Sequence, residues 1–330
     1  MSAPVDQPLL SVRNLVTRFR GRRGMVTAVD NVSFDVGAGA TVAIVGESGS
    51  GKSVTALSIL RLIPQPPGRI ESGEVLFEGK DLLKLSNEEI MDVRGNRIAM
   101  IFQEPMTALN PVLPVGRQIA EMFVLHKGKS WREASRLAVE ALASVRVPAP
   151  ERRVKSYPHQ LSGGMRQRVM IAIALACGPD LLIADEPTTA LDVTVQAEII
   201  ELMRELCAER GTAVLMISHD LGLVANVCRR VAVMYAGRIV EQRDSAAIFS
   251  ASAHPYTRGL VASLPRLGSR AAQGRTRLKE IAGVVPAITN FPDGCRFNPR
   301  CAQASDICRT TAPETTWLGA GGFVRCHHHA

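Results

Sequence analysis

The stretch Gly46-Glu47-Ser48-Gly49-Ser50-Gly51-Lys52-Ser53 constrains this chain more than any other. A turn marked by Gly37 and Gly39 precedes it, then a short apolar run, Thr41 to Val45, that reads as a buried strand. A helical stretch follows from Lys52 to Leu62 and is stopped by Pro64, Pro66 and Pro67. Strand, glycine loop and helix in that succession, with the spacing G-x-x-x-x-G-K-[ST], build a phosphate cradle. Gly46, Gly49 and Gly51 let the backbone wrap closely round anionic oxygens, so that the N–H groups of Ser48, Ser50 and their neighbours point inward. The loop opens a helix whose positive end favours anions. Lys52 has the reach for β- and γ-phosphates, and the Ser53 hydroxyl suits Mg²⁺. The alternative is an empty glycine turn; the strand before it and the helix after it favour the cradle.

A second apolar run, Leu181 to Ala184, delivers Asp185 and Glu186 at its end. In open α/β sheets ligands sit at the C-terminal ends of strands. Asp185 there can hold Mg²⁺, directly or through water, and Glu186 can polarise an attacking water as general base. Taken alone, apolar–Asp–Glu is often only a strand end; beside the glycine loop it gains meaning. Leu9 to Leu15 and Val32 to Val36 read as half-buried strands, Ile98 to Phe102 and Ala213 to Ile217 as further strands. Val193 to Arg210 reads as a helix closed by Gly211. Ser130 with Glu133 predicts a capping box, ahead of an apolar face of Ala134, Leu137, Ala138, Ala141 and Leu142. The alternation implies an α/β fold on a mostly parallel sheet.

Composition enters as a set of exclusions. The 330 residues are 46% hydrophobic and 21% charged, far from the disordered corner. The longest apolar run, Val169 to Cys177, is about half of what crosses a bilayer. No basic segment followed by an apolar one opens the sequence, so no signal peptide and a cytoplasmic location are expected. The net charge of +8 reads as solvated arginine, since no Lys/Arg run dominates, and an aromatic content of 4% argues against a base-stacking platform. No nucleic-acid partner is expected.

Leu161-Ser162-Gly163-Gly164-Met165-Arg166-Gln167 resembles the signature of ABC-type ATPases, with Met165 where that family commonly has glutamine. Phe102-Gln103 is similar to its Q-loop, Ala190-Leu191-Asp192 to its D-loop and Ser218-His219-Asp220 to its H-switch, all in the family's order over roughly residues 8 to 245. A narrower resemblance, to the dipeptide/oligopeptide (and nickel) importer group, lies in Gln103 to Pro111, Thr189 to Ala197 and His254-Pro255-Tyr256-Thr257.

The resemblance implies a P-loop NTPase fold: a RecA-like parallel-sheet core, an N-terminal antiparallel β subdomain, a helical signature subdomain at about 105–175 and a small C-terminal extension. It implies a nucleotide-binding domain over 1–250 and the extension over 251–330. It also implies that ATP lies between two such domains, each glycine loop facing the other chain's signature. Ser162, Gly163 and Gly164 are then expected at the partner's γ-phosphate. His219 is expected to hold that phosphate and the water, Gln103 to contact Mg²⁺ or the water, and Asp192 to cross the interface. Phe19 is the candidate for stacking on adenine, or else an ordinary strand aromatic. The implied activity is ATP hydrolysis powering import of dipeptides or oligopeptides, with nickel, glutathione or another small solute as alternative cargo. The implied partners are a second ATPase subunit, preferably a paralogue, two membrane permeases and an extracytoplasmic solute-binding protein. The implied location is peripheral, on the cytoplasmic face of the membrane.

Seven cysteines divide into two sets. Cys177, Cys207 and Cys228 sit in apolar stretches and are expected to be buried and inert. Cys295, Cys301, Cys308 and Cys326 cluster near the end, in a poorly cored segment where a structural metal is expected. No C-x₂₋₄-C pair is present, and the spacing matches no ferredoxin run, so spacing alone leaves zinc and iron–sulfur open. Resemblance to cluster-bearing members of the peptide-importer group implies a [4Fe–4S] centre. Two other functional classes compete. A non-transport ABC ATPase of the DNA-repair type needs a very long coiled coil between loop and signature, where only about a hundred residues intervene here; ribosomal types carry two ATPase cores. A redox or metal sensor with ATP secondary rests on the cysteines alone.

Overall fold

The computed structural model describes residues 7–22, 24–103, 108–188, 191–264 and 281–329. The strands are β1 (Leu10–Gly21), β2 (Gly24–Val36), β3 (Thr41–Val45), β4 (Gly68–Phe77), β5 (Lys80–Asp81), β6 (Ile98–Ile101), β7 (Leu181–Asp185), β8 (Ala213–Ser218), β9 (Arg230–Tyr235), β10 (Arg238–Asp244), β11 (Thr316–Leu318) and β12 (Gly322–Val324). The longer helices are α1 (Lys52–Ile59), α2 (Val115–Lys127), α3 (Trp131–Ser144), α4 (Gly163–Leu175), α5 (Val193–Arg210) and α6 (Pro255–Ala262). The chain divides into two compact units, one holding 36–40 and 84–216 with the residues up to 9, the other 10–35, 41–83 and 217–330.

In the first unit β6 and β7 pair in parallel, Ile98 opposite Leu181 through Ile101 opposite Ala184, and β8 neighbours β7. Leu181 to Ala184 are wholly buried, which is why they read as an unbroken apolar run. Helices α2, α3 and α4 pack on one another. In α3 the face that goes inside is Ala134, Ala138 and Leu142; Leu137 and Ala141 are half-buried at its margin. Helix α5 spans the expected residues and ends on Gly211 at φ 68. The expected capping box at Ser130 is only half made. Ser130 Oγ accepts the N–H of Glu133 at 3.3 Å, but the Glu133 carboxylate turns to Lys129 Nζ at 2.8 Å. An ammonium one residue before the cap outcompetes a neutral N–H as a carboxylate partner. A complete box is made at Ser86 and Glu89, which the apolar pattern does not mark.

The second unit opens with an antiparallel sheet in the order β2-β1-β4-β5, as expected for the N-terminal subdomain. Beyond it β3 pairs with β9 in parallel, Val42 opposite Arg230 to Val45 opposite Val233. The expected mostly parallel character stops there: β9–β10, β10–β12 and β12–β11 are antiparallel. A two-residue turn, Ala236 at φ 46 and Gly237 at φ 85, folds β10 back on β9. Helix α1 ends at Ile59, earlier than the apolar run. Among the described residues no helix is long and apolar enough to cross a membrane.

The described residues just past Ser250 are tied into this unit. Glu241, wholly buried in β10, accepts the N–H groups of Ala253 and His254 at 2.8 and 2.9 Å. His254 caps α6, its Nδ1 accepting the N–H of Tyr256 at 3.0 Å. Burial, aided by Arg258, pushes the His254 pKa down from 6.5 to about 3. The unfolded chain therefore takes up this proton first as pH falls. The stability contributed by the neutral ring is complete above about pH 6.5 and is lost towards pH 3. Asparagine can replace the cap without titrating. Between pH 6.5 and 5 the native chain should lose about 2 kcal/mol more than His254→Asn, read from urea midpoints at each pH.

Candidate functional site

The glycine loop leaves β3 and is pressed against its surroundings in the second unit. A Cβ on Gly46 would lie 2.1 Å from the Met234 carbonyl oxygen, and one on Gly51, at φ 101, would lie 2.6 Å from that of Ala28. Only glycine permits that approach at either place. Gly237 donates its N–H to Ser50 O at 2.8 Å, and Ser50 donates to Glu47 O at 3.2 Å. Lys52 Nζ folds back to the carbonyls of Gly46 and Glu47, at 2.8 and 3.1 Å. Ser48 and Gly49 are exposed at the crown, Ser53 is half-buried in the first turn of α1, and no side chain caps that helix. The Ser50 hydroxyl is buried and unpartnered.

Two further expected residues belong to this unit. Phe19 pairs with Gly68 across β1 and β4 and is half-buried. Its ring edge fills the space of a Gly68 side chain, 2.7 Å from where the Cβ would be. His219 follows β8 and is exposed. The turn beyond it is braced, Ser218 Oγ accepting the N–H of Asp220 at 2.9 Å and Asp220 Oδ1 accepting those of Gly222 and Leu223.

The carboxylates belong to the first unit. Asp185 ends β7 at 4% exposure; Glu186 follows in the left-handed region, φ 46, which few side chains adopt without strain. Because Ile101 pairs with Ala184, the residues two beyond each, Gln103 and Glu186, leave adjacent parallel strand ends together. Gln103 Nε2 donates to Glu186 Oε2 at 3.2 Å. Glu186, expected to polarise the attacking water, and Gln103, expected to contact Mg²⁺ or that water, are thus hydrogen-bonded although far apart in sequence.

The signature begins α4. Ser162 is its cap, Oγ accepting the N–H of Met165 at 3.3 Å. Side chains on Gly163 and Gly164 would crowd Leu191 and Val195, at 3.2 and 3.1 Å. Asp192 is the cap of α5, Oδ1 accepting the N–H of Val195 at 3.0 Å. Expected to serve a partner chain, Ser162 and Asp192 thus also stabilise their own helices. Ala190 of the expected D-loop, Thr189, and Glu104 to Thr107 of the expected importer motif and helical-subdomain start lie outside the described residues.

All seven cysteines are free. Cys177, Cys207 and Cys228 are buried as expected, and burial pushes the thiols of Cys207 and Cys228 up to about 12. In the tail the Cys295 N–H donates to Cys308 O at 2.9 Å. Backbone N–H groups two residues on, those of Phe297, Gln303 and His328, donate to the sulfurs of Cys295, Cys301 and Cys326. Ser305 Oγ lies 3.7 Å from Cys308 Sγ. Burial first, then neighbouring thiols, raise Cys295 to about 11. Among the described residues no three His, Cys, Asp or Glu are drawn together closely enough to hold a metal ion. Tyr256, from the importer-group stretch His254 to Thr257, and Arg300 hold Glu47 of the glycine loop, a role that local sequence does not mark because neither lies in a phosphate motif.

Comparison with known proteins fits this geometry. The ABC transporter family profile matches residues 29–189, and the profile of the oligopeptide/dipeptide transporter C-terminal region matches 240–308. A probable peptide ABC transporter ATP-binding protein, y4tR of Sinorhizobium fredii, is 52% identical over 98% of this chain and 96% of its own. The oligopeptide transport ATP-binding protein AppD of Bacillus subtilis is 49% identical over 96% of each chain. Among solved structures, the dimeric ATP-binding cassette MJ0796 bound to ADP and Pi superposes with a TM-score of 0.64 at 28% identity, covering 72% of this chain and 98% of that one. The cbiO1 cassette of Clostridium perfringens superposes at 0.62 with 29% identity, covering 74% and 91%. This chain belongs to the ATP-binding proteins of the ABC transporter family, in the group that carries the oligopeptide/dipeptide C-terminal region.

Proposed function

We propose that this chain is the ATP-hydrolysing subunit of an importer for dipeptides or oligopeptides. The observation that carries the chemistry is the Gln103–Glu186 hydrogen bond at adjacent strand ends, given the phosphate loop in the same chain. The cargo reading is supported by relatives named for peptide and oligopeptide transport and by the tail profile. Lys52 and the loop N–H groups bind the β- and γ-phosphates. Glu186 accepts the proton of the attacking water, Gln103 orients that carboxylate, and His219 hydrogen-bonds the γ-phosphate. Ser53, Gln103 and the buried Asp185 are hard-oxygen donors of the kind Mg²⁺ takes, and the ion would neutralise phosphate charge. Phe19 stacks on adenine with the part of its ring that Gly68 leaves open.

The second ATPase, a paralogue, supplies its signature to this chain's nucleotide, while Ser162, Gly163, Gly164 and Asp192 serve the partner's. Two permeases and an extracytoplasmic binding protein complete the transporter, and this subunit works at its cytoplasmic face. Cys295, Cys301, Cys308 and Cys326 would hold a [4Fe–4S] cluster, a reading supported by backbone N–H donors to the sulfurs of Cys295, Cys301 and Cys326. Such a centre would need the thiols to close up from their present placement. Anaerobically purified protein should absorb near 400 nm; colourless protein with stoichiometric zinc would reject the cluster.

Glu186→Gln should retain ATP and lower steady-state hydrolysis by about a hundredfold or more in the assembled transporter, with unchanged turnover excluding the base role. Lys52→Ala should abolish ATP binding at micromolar concentrations; retained binding in a nucleotide titration counts against the loop.

A further inference from the structure

Glu47 is the one acidic residue of the phosphate loop. A free carboxylate there repels an incoming triphosphate, and in a partly desolvated cleft that repulsion is stronger than in water. Both of its functional ends are held by residues of the tail. Its N–H donates to Tyr256 Oη at 2.9 Å. Its carboxylate receives the fork of Arg300, Nη1 to Oε2 at 2.6 Å and Nη2 to Oε1 at 3.0 Å. The Arg300 side chain is 4% exposed, against 31% for Glu47. Nε of Arg300 donates to Ala282 O at 2.9 Å, and Nη2 also reaches Ile281 O at 3.3 Å. The guanidinium lies by the rings of Tyr235 and Phe297, 5.8 and 5.9 Å from their centres. A group so fully engaged stays where it is when nucleotide arrives.

We propose that Arg300 is a positioning residue of the ATP site: by pairing with Glu47 it presents the triphosphate with a neutral, immobilised loop. ATP affinity therefore depends on the C-terminal tail, where Arg300 precedes Cys301. This rests on the loop binding ATP, not on any metal at the cysteines.

The test is a titration of the full-length chain with Mg·ATP, with hydrolysis measured in the assembled transporter. Arg300→Gln should weaken binding about tenfold, one unmasked charge, while kcat at saturating ATP stays within about twofold. Adding Glu47→Gln should restore affinity to within about threefold of the native chain. A merely structural arginine would lower thermal stability and kcat, and the second change would not rescue it. Arg300→Gln binding as the native chain does, or a double variant as weak as the single one, overturns the proposal. Should Arg300→Gln not fold, Glu47→Gln alone decides: it should bind ATP as tightly as the native chain or tighter, and binding more than about threefold weaker overturns the proposal. If the native chain binds no ATP, the loop reading itself fails.

Discussion

The shape of the glycine loop in the second unit depends on how closely it lies against its neighbours. Gly46 and Gly51 bring loop backbone onto the carbonyls of Met234 and Ala28, with no room for a β-carbon at either. β9 carries Met234, and β2 carries Ala28, so the loop's shape is enforced by strands distant in sequence. The loop's N–H groups can then be preorganised for phosphate before any arrives, which is where electrostatic binding gains most over water.

The strand ends that carry Gln103 and Glu186 in the first unit follow another rule. Parallel pairing of β6 and β7 places the residues after each strand side by side, whatever the intervening length of chain. Gln103 and Glu186 meet for that reason. The left-handed backbone of Glu186 is a cost of about 1–3 kcal/mol, held by the buried strand behind it. Ser162 and Asp192, which the resemblance leads one to expect at a partner chain, cap their own helices. Their substitution should therefore be judged against helix stability as well as dimer chemistry.

The C-terminal tail is bound to the core of the second unit by a polar hinge and an aromatic knot. Glu241 anchors the start of α6, and Tyr235, Tyr256 and Phe297 meet with ring centres 4.6 to 5.4 Å apart. From that knot Tyr256 and Arg300 extend to the phosphate loop. The cysteine segment is thus a few bonds from Glu47, joined through residues of ordinary packing type.

Local sequence determined whatever depends on near neighbours. The glycine loop, β3, helix α5 with its Gly211 stop and the carboxylates after β7 follow from spacing, because apolar runs and turn glycines act within a few residues, while the signature is legible only by family resemblance. β4 and the β9–β10 hairpin carry no such local mark: β4 mixes polar residues with a bulge, and the hairpin turns on Ala236-Gly237 without the usual Asn-Gly pair. The Ser130–Glu133 pattern predicts a capping box that Lys129 breaks by pairing with the Glu133 carboxylate. Tertiary structure alone decided that Gln103 meets Glu186, that His254 is a buried cap, and that Arg300 neutralises Glu47. Each joins groups through sheet register, burial or an ion pair, and such forces act between residues that the linear order keeps apart.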